Sequence, residues 1–382
     1  MQKKPERRKI ALFSTSFLPY SQTFIFDEIR SHSDDSFVEV FCKERLNEDR
    51  FPYPHFNKPK GKLSEVIYEN LGWWPAFDKM FKEDDFDLIH AHFGTGAVYA
   101  LPYVKKHDIP FVVTFHGNDV AALMGTQKYH YSRWRYYLKS KQILEEADML
   151  LAASEELKAL LIELGAHEKK VKVYRLGIDL EKFNYTEPDT AKDKVTFVMV
   201  GRFTEKKGHI YTLKALKKVL EAGLYAELTL VGSGKLEADL RAYIDKNGLT
   251  KHVHFKGVLS PEEVSEELKK SDVLITPSIV TFDHDRESGL IVVKEAQATG
   301  RPVIGTWHGG IYEIIDDNET GFLVPERNAG ILAEKMIKLI KDPELRLKFG
   351  KAGRKKMEEE YDLKKQVAIL ESHYESLITG QQ

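Results

Sequence analysis

Continuous apolar runs rich in β-branched residues alternate with helical patterns along the whole chain. KIALFST, VEVFCK, DLIHAHF, PFVVTFH, MLLAAS and KVYRLG punctuate the first half, and VTFVMVG, AELTLVG, VHFKG, DVLITPS and PVIGT the second. Strands that read as unbroken apolar runs belong to parallel sheets covered on both faces, and their alternation with helices predicts an α/β architecture twice over. At 382 residues the chain is too long for one ordinary core, so two domains are expected, meeting near residue 181. The polar, proline-containing segment 182–194 reads as the linker. Doubly wound sheets bind ligands beyond the carboxyl ends of their strands, which directs attention to the loops that follow each run.

Composition narrows the chemistry further. A formal net charge of −2 supplies no global field for nucleic acid, so an anion site has to be local. One cysteine, Cys42, excludes an internal disulfide and is compatible with a reducing cytoplasm. The amino-terminal stretch is basic, but its apolar part is a short strand-like run broken by Ser and Pro, unlike a signal peptide. No apolar run approaches the roughly twenty residues that span a bilayer, so a soluble or membrane-peripheral protein is expected.

Two loops carry the strongest local signals. The run SDVLITPS leads into Glu287-Ser288-Gly289-Leu290, and Glu295 follows. The spacing predicts a helix opening at Ser288-Gly289 that carries Glu295 about two turns in, with both carboxylates near one face. A helix start offers unpaired N–H groups and a positive dipole end to an anion, while carboxylates accept hydrogen bonds from hydroxyls; a phosphorylated sugar needs both. Upstream, VTFVMV ends in Gly201-Arg202-Phe203-Thr204-Glu205-Lys206-Lys207-Gly208, with a helical pattern from His209 to Leu220. A strand end, a glycine and two spaced cations before a helix predict a pyrophosphate clamp of Arg202 and Lys207.

The series VGRFTEKKG, LVGSGKLEADL, FKGVLS and ESGLIVVKEAQATGRPVIGTWHGGIYEIIDDNETGFLV resembles the nucleotide-binding half of glycosyltransferase family 4. HAHFGTGAVYALPYVKKHDIPFVVTFHGNDV and YRLGID extend the resemblance to the amino-terminal half, closest to the branch that builds exopolysaccharide, capsule or colanic-acid-type glycans. The resemblance implies the GT-B fold, two Rossmann-like doubly wound domains facing a central cleft. Residues 1–181 would form the acceptor side, residues 182–361 the nucleotide-sugar side, and residues 362–382 would cross back onto the first domain. It also implies retaining transfer of a hexosyl-type sugar from a UDP- or GDP-linked donor to a glycan or lipid-linked glycan. No metal cofactor is expected.

By that resemblance Arg202 and Lys207 contact the diphosphate, assisted by Ser288 and the N–H groups of Gly289 and Leu290. Glu295 holds the ribose hydroxyls. Glu287 and His116 bind the sugar, and transfer on one face uses the leaving phosphate to help deprotonate the acceptor. Asp119 orients His116 or meets the acceptor, and Gly309-Gly310 let backbone approach the donor. The chain departs from the family pattern after its first strand, where a glycine-rich loop gives way to residues 17–24; Ser21 and Thr23 are the candidate polar contacts there. Leu176 likewise replaces the usual asparagine before Gly177-Ile178-Asp179. A sugar phosphorylase or synthase of the same architecture, and a noncatalytic nucleotide-sugar-binding subunit, remain as alternatives.

Other motifs admit simpler readings. His90 and His92 share a strand face, but without a third ligand at recognisable spacing they read as cleft-lining or loop-bracing groups rather than a metal site. Asp283-His284-Asp285 reads as part of the donor-site loop. Gly232-Ser233-Gly234 lacks a third glycine and reads as a tight turn before a helix. Residues 63–81 and 128–141 mix aromatic and, in the second, basic side chains. They suit either ordinary packing or peripheral contact with an anionic membrane bearing a lipid-linked acceptor.

Overall fold

The computed structural model describes residues 7–19, 22–125, 133–189, 194–283 and 285–380. Ser21, His284 and the Lys128, Tyr129 and Tyr131 of the second aromatic stretch lie outside the described residues. The chain divides into two compact units, Met1–Gly177 with Leu363–Gln382, and Ile178–Asp362.

The first unit runs β1 (Arg8–Phe17), α1 (Thr23–Arg30), β2 (Ser36–Arg45), β3 (Phe56–Asn57), α2 (Lys62–Leu71), α3 (Pro75–Glu83), β4 (Leu88–His92), α4 (Phe93–His107), β5 (Phe111–Phe115), α5 (Asn118–Met124), α6 (Trp134–Glu146), β6 (Met149–Ala152), α7 (Glu155–Glu163) and β7 (Val171–Val173). The second runs β8 (Val195–Val200), α8 (His209–Glu221), β9 (Ala226–Val231), α9 (Glu237–Lys246), β10 (Val253–Gly257), α10 (Pro261–Lys270), β11 (Val273–Thr276), α11 (Ile291–Ala298), β12 (Val303–Thr306), α12 (Ile311–Ile314), β13 (Gly321–Val324), α13 (Ala329–Lys341) and α14 (Pro343–Glu360). The last helix, α15 (Leu363–Ile378), belongs to the first unit.

The first sheet has the order β3-β2-β1-β4-β5-β6-β7 and the second β10-β9-β8-β11-β12-β13. Every pairing is parallel. The winding direction reverses between β1 and β4 and between β8 and β11. In open α/β sheets those switch points are where the loops splay and ligands enter.

Side chains from both faces of each sheet close the cores. In the first unit Phe13 stacks on Phe41 at 5.1 Å, and Phe81 lies 5.3 Å from Phe41 and 5.1 Å from Tyr103. In the second, Phe197, Leu228, Leu230 and Met336 are buried on one side and Val198, Leu274, Val293 and Ala296 on the other. The carboxyl-terminal strand GFLV, four residues between polar turns, was not among the expected strands. Its pairing with β12 from Gly321 to Val324 is what buries it.

The segment expected to link the domains is packed in part. Phe183 is buried in the second unit, and the Arg301 guanidinium donates to the carbonyl and hydroxyl oxygens of Thr186 at 2.7 and 3.0 Å. The division between units therefore falls at Gly177 and Ile178, ahead of residue 181. Gly177 is required there by close approach: a Cβ would stand 2.5 Å from the Cα of Leu363, where α15 begins.

α15 is anchored by one carboxylate. Glu371 Oε1 accepts from the Ser33 N–H at 3.0 Å and from the Ser33 and Ser36 hydroxyls at 2.9 and 2.7 Å, and lies 3.1 Å from His32 Nδ1. Burial opposes ionisation, but His32 and these donors outweigh it and bring the carboxyl down to about 2. Because the folded value lies below the unfolded one, the contribution is present above about pH 4.5 and is lost as pH falls toward 2. Glu371→Gln is expected to lower stability by roughly 2 kcal/mol at pH 7 and by much less at pH 3. Urea unfolding of both proteins at the two pH values measures this, and an equal loss at both would refute the assignment.

Candidate functional site

In the second unit the loops after β8 and β11 meet at the switch point. Residues 201–208 leave β8, turn through a short 3-10 segment at Glu205–Lys207, and enter α8. Gly208 makes the approach possible: its φ is +67°, and a Cβ would lie 2.0 Å from the Pro277 carbonyl oxygen just beyond β11. The same turn accepts a backbone hydrogen bond, from Ile279 N–H to Lys206 O at 2.8 Å.

Two lysine–carboxylate pairs cross the gap. Lys207 Nζ lies 2.9 Å from Glu287 Oε1, and Lys206 Nζ lies 2.9 Å from Asp285 Oδ1. Glu287 is 8% exposed. Burial would push its carboxyl up, but the charges of Lys207 and Lys206, hydrogen bonding to Lys207 and the nearby His308 hold it below the usual carboxylate value. Lys207 was anticipated from sequence; Lys206, buried and paired, was not. Its only signal was the doubled lysine before Gly208. Arg202 is exposed on the same loop.

The expected helix start needs correction. α11 begins at Ile291 with Leu290 as its N-cap, so Ser288 and Gly289 belong to the loop. Glu295 is one turn into the helix and half-buried, and Glu287 lies outside it, so the seven-residue gap is not a helical repeat. No side chain caps this N-terminus and its first turn holds no acid, which leaves the dipole end uncompensated by its own residues. Ser288 and Leu290 are buried beside it. Lys294 is buried as well, its ammonium 4.9 Å above the Tyr361 ring.

Behind the loop stands a dyad that sequence reading passed over. Glu287 N–H donates to His308 Nε2 at 2.9 Å, and His308 Nδ1 lies 2.7 Å from Glu326 Oε1. A backbone N–H can only donate, so Nε2 is the acceptor and Nδ1 carries the proton toward the carboxylate. Glu326 Oε2 accepts from Val280 N–H at 3.0 Å, so one residue holds both ends of the loop. His308 precedes Gly309, held at φ +50°, and Gly310, which leads into α12. Trp307 and Tyr312 stand exposed on either side.

The GSG turn is a buttress. Phe203 N–H donates to the Ser233 carbonyl at 2.8 Å, and Gly201 N–H to that of Val231 at 2.9 Å, so it supports the cationic loop from below.

In the first unit the strand register sets the arrangement. His92 pairs with Thr114 across β4 and β5, so His90, His92, Thr114 and His116 share one face by the two-residue period. His90 Nε2 lies 2.7 Å from Thr114 Oγ1 and its Nδ1 2.7 Å from the Tyr374 hydroxyl. His92 Nδ1 lies 3.1 Å from His116 Nε2, and its Nε2 3.1 Å from Glu28 Oε1. His90 and His92 are wholly buried, so they line no opening and instead brace this layer. Glu28, His90 and His92 bring ligand-type atoms within 4.8 Å of one another. Both nitrogens of His90 are engaged in hydrogen bonds, to Thr114 and Tyr374.

His116 is half-buried at the end of β5 against Phe93 and Phe24, with ring centroids at 4.4 and 4.9 Å. Asp119 holds His116 through its backbone N–H. Its carboxylate accepts backbone N–H groups of Gly94, His116, Gly117 and Val120 at 3.0, 3.2, 2.9 and 3.1 Å, and so fixes the loop. Burial pushes its carboxyl up, opposed by backbone hydrogen bonds that include those from Gly94, Val120 and His116. Nearby, a polar cavity of about 200 Å³ is lined by Ser14, Thr15, Ser16, Gln22, Asn118 and Arg133 among others. Thr23 opens α1, half-buried.

Two parallel α/β domains, each with its polar residues gathered at the strand switch point, define the GT-B class of group-transfer proteins. Residues 182–356 match the family described as glycosyl transferases group 1, and residues 32–182 match glycosyltransferase family 4. The amylovoran biosynthesis glycosyltransferase AmsK of Erwinia amylovora is 31% identical over 280 residues, 72% of this chain and 67% of that protein. The putative colanic acid biosynthesis glycosyltransferase WcaL of Escherichia coli is 28% identical over 370 residues, 86% and 89% of the two chains. Among solved structures, Anabaena HepE in complex with UDP superposes with a TM-score of 0.78 at 17% identity, covering 97% of this chain and all of that one. The chain belongs to the glycosyltransferases of family 4. Among the described residues no helix is long and apolar enough to cross a membrane.

Proposed function

We propose that the chain is a retaining glycosyltransferase that moves a hexosyl-type unit from a UDP- or GDP-linked sugar to a glycan or lipid-linked glycan in cell-surface polysaccharide synthesis. The convergence of Lys207, Lys206, Glu287 and Asp285 at the uncapped start of α11 carries the reading. A departing nucleoside diphosphate develops negative charge, which Arg202, Lys207 and the amides of Gly289 and Leu290 stabilise without a divalent ion. Glu295 takes the ribose diol, since one carboxylate accepts two hydroxyls. Glu287 and His116 hold the sugar, and transfer proceeds on one face with the leaving phosphate helping to deprotonate the acceptor.

The relatives named for amylovoran and colanic acid biosynthesis support the polysaccharide assignment, and the UDP complex supports a nucleotide donor. The hydroxyl- and amide-lined cavity of the first unit suits a sugar acceptor. Peripheral membrane contact draws on α2 and α6. Leu63, Val66 and Leu71 of the former and Trp134 and Leu138 of the latter are exposed, and Arg135 bonds the Glu69 carbonyl between them.

Thermal unfolding with UDP, GDP and their sugars tests the donor site, using wild type and Glu295→Ala with and without chelator. A ligand that binds only the folded state stabilises by about 2.7 kcal/mol at a hundredfold excess over its Kd. A base-selective rise that survives chelation and shrinks in the variant is expected. No rise with any nucleotide, with or without an acceptor glycan, would overturn the reading.

A further inference from the structure

Glu28 is an acid on an otherwise apolar face. The buried residues of α1 are Ile25, Phe26, Glu28 and Ile29, and Glu28 is 2% exposed. A carboxylate there requires a counter-charge and hydrogen bonds. Tyr174 supplies one bond, its hydroxyl donating to Oε2 at 2.9 Å. His92 stands on the other oxygen at 3.1 Å, and His116 stands behind His92 at the same distance.

His90 is held neutral, since burial and then the neighbouring His92, His32 and His116 push its value well down. His32 lies 3.1 Å from Glu371 Oε1 and belongs to that pair. Tyr174 and Tyr374 are pushed far up by burial and stay protonated. Thr114 bonds His90. Burial opposes ionisation of Glu28, but His92, through charge and hydrogen bonding, with His32 and Tyr174, holds its carboxyl below the usual value.

We propose that Glu28 holds a proton on His92, so that His92 donates to His116 Nε2 and His116 is kept as a neutral imidazole with its proton on Nδ1. The proton count follows from the geometry. Two facing ring nitrogens at 3.1 Å hold one proton between them. If His92 is an imidazolium, Nε2–H faces Glu28 and Nδ1–H faces His116, whose other nitrogen then carries a hydrogen-bond donor. If His92 is neutral with its proton toward Glu28, His116 must donate through Nε2 and its Nδ1 becomes an acceptor. Glu28 therefore sets which nitrogen of His116 carries the proton, and so whether its Nδ1 is a donor or a lone pair. Glu28 and His92 are positioning residues, and this functional consequence rests on the reading that His116 meets the transferred sugar.

Nitrogen-15 NMR of histidine-labelled protein reads the tautomers directly. Wild type at pH 7 is expected to show His92 as imidazolium and His116 as the neutral Nδ1–H form. Glu28→Gln should turn His92 neutral and move the His116 proton to Nε2, while Glu28→Asp restores the wild-type pattern in part. Tyr174→Phe keeps the carboxylate, and is expected to raise the Glu28 value and weaken the pattern without abolishing it, which covers a Glu28→Gln protein that fails to fold. Turnover in Glu28→Gln should fall roughly tenfold or more, the scale of one lost hydrogen bond to the reacting sugar, with little change in nucleotide Kd. A neutral His92 in wild type would overturn the proposal. So would stoichiometric zinc bound to wild type and absent from Glu28→Gln, because the metal would occupy the Nε2 lone pair. The expected tautomers with unchanged turnover would uphold the relay and refute the sugar-binding role of His116.

Discussion

Lys207→Ala is expected to lower kcat by about 10²–10³-fold, the cost of removing one preorganised group that stabilises charge developing on a leaving group. The same change strips Glu287 of a partner 2.9 Å away while leaving it 8% exposed. Breaking a mostly buried pair from one side destabilises by roughly 2–4 kcal/mol, so lost activity alone would not separate chemistry from folding. A second variant separates them. Lys207→Met with Glu287→Gln removes both charges, and its melting temperature should return toward wild type. Its turnover should not return, because the diphosphate still lacks its ammonium and the sugar its Glu287 carboxylate. Nucleotide binding supplies a third readout, expected to weaken in both variants. If the double variant regains turnover together with stability, Lys207 does not stabilise the leaving diphosphate and Glu287 does not hold the sugar.

Lys207 also shows what kind of information the sequence carried. Strand runs are legible because a parallel strand buried on both faces must be apolar throughout, and the sequence holds eleven such runs that lie in the two sheets. GFLV was missed because four residues give no periodicity, and its identity as a strand comes from pairing with β12. The loop cations and Glu287 were legible as charges at strand ends. The helix boundary beside them was misplaced because Ser288-Gly289 has the composition of a helix start, while the chain stays non-helical until Ile291. Glu28, His92 and His308 gave no signal as partners. Each acts through a contact made across 18 to 64 residues, Glu28 to His92 and His308 to Glu326, and only the register of the sheet and the packing of α1 bring them together.

His308→Ala follows from that hidden support. The substitution leaves the Glu287 N–H without its acceptor and Glu326 without the proton it accepts. An unsatisfied buried donor costs about 1–3 kcal/mol, and the loop can relieve it by swinging Glu287 toward water. Relief of that kind moves the carboxylate off Lys207, so the loss should fall on ligand binding more than on melting temperature. Nucleoside diphosphate affinity, measured by calorimetry, is expected to drop about tenfold to a hundredfold. His308→Gln offers an amide oxygen to the N–H and an amide N–H to Glu326, and is expected to recover a large part of that loss. Glu326→Gln should fall between, because it retains an acceptor for Val280 N–H but loses the charge that fixes the His308 tautomer. Wild-type affinity in His308→Ala would show that the loop keeps its place without the dyad, and would remove His308 from the site.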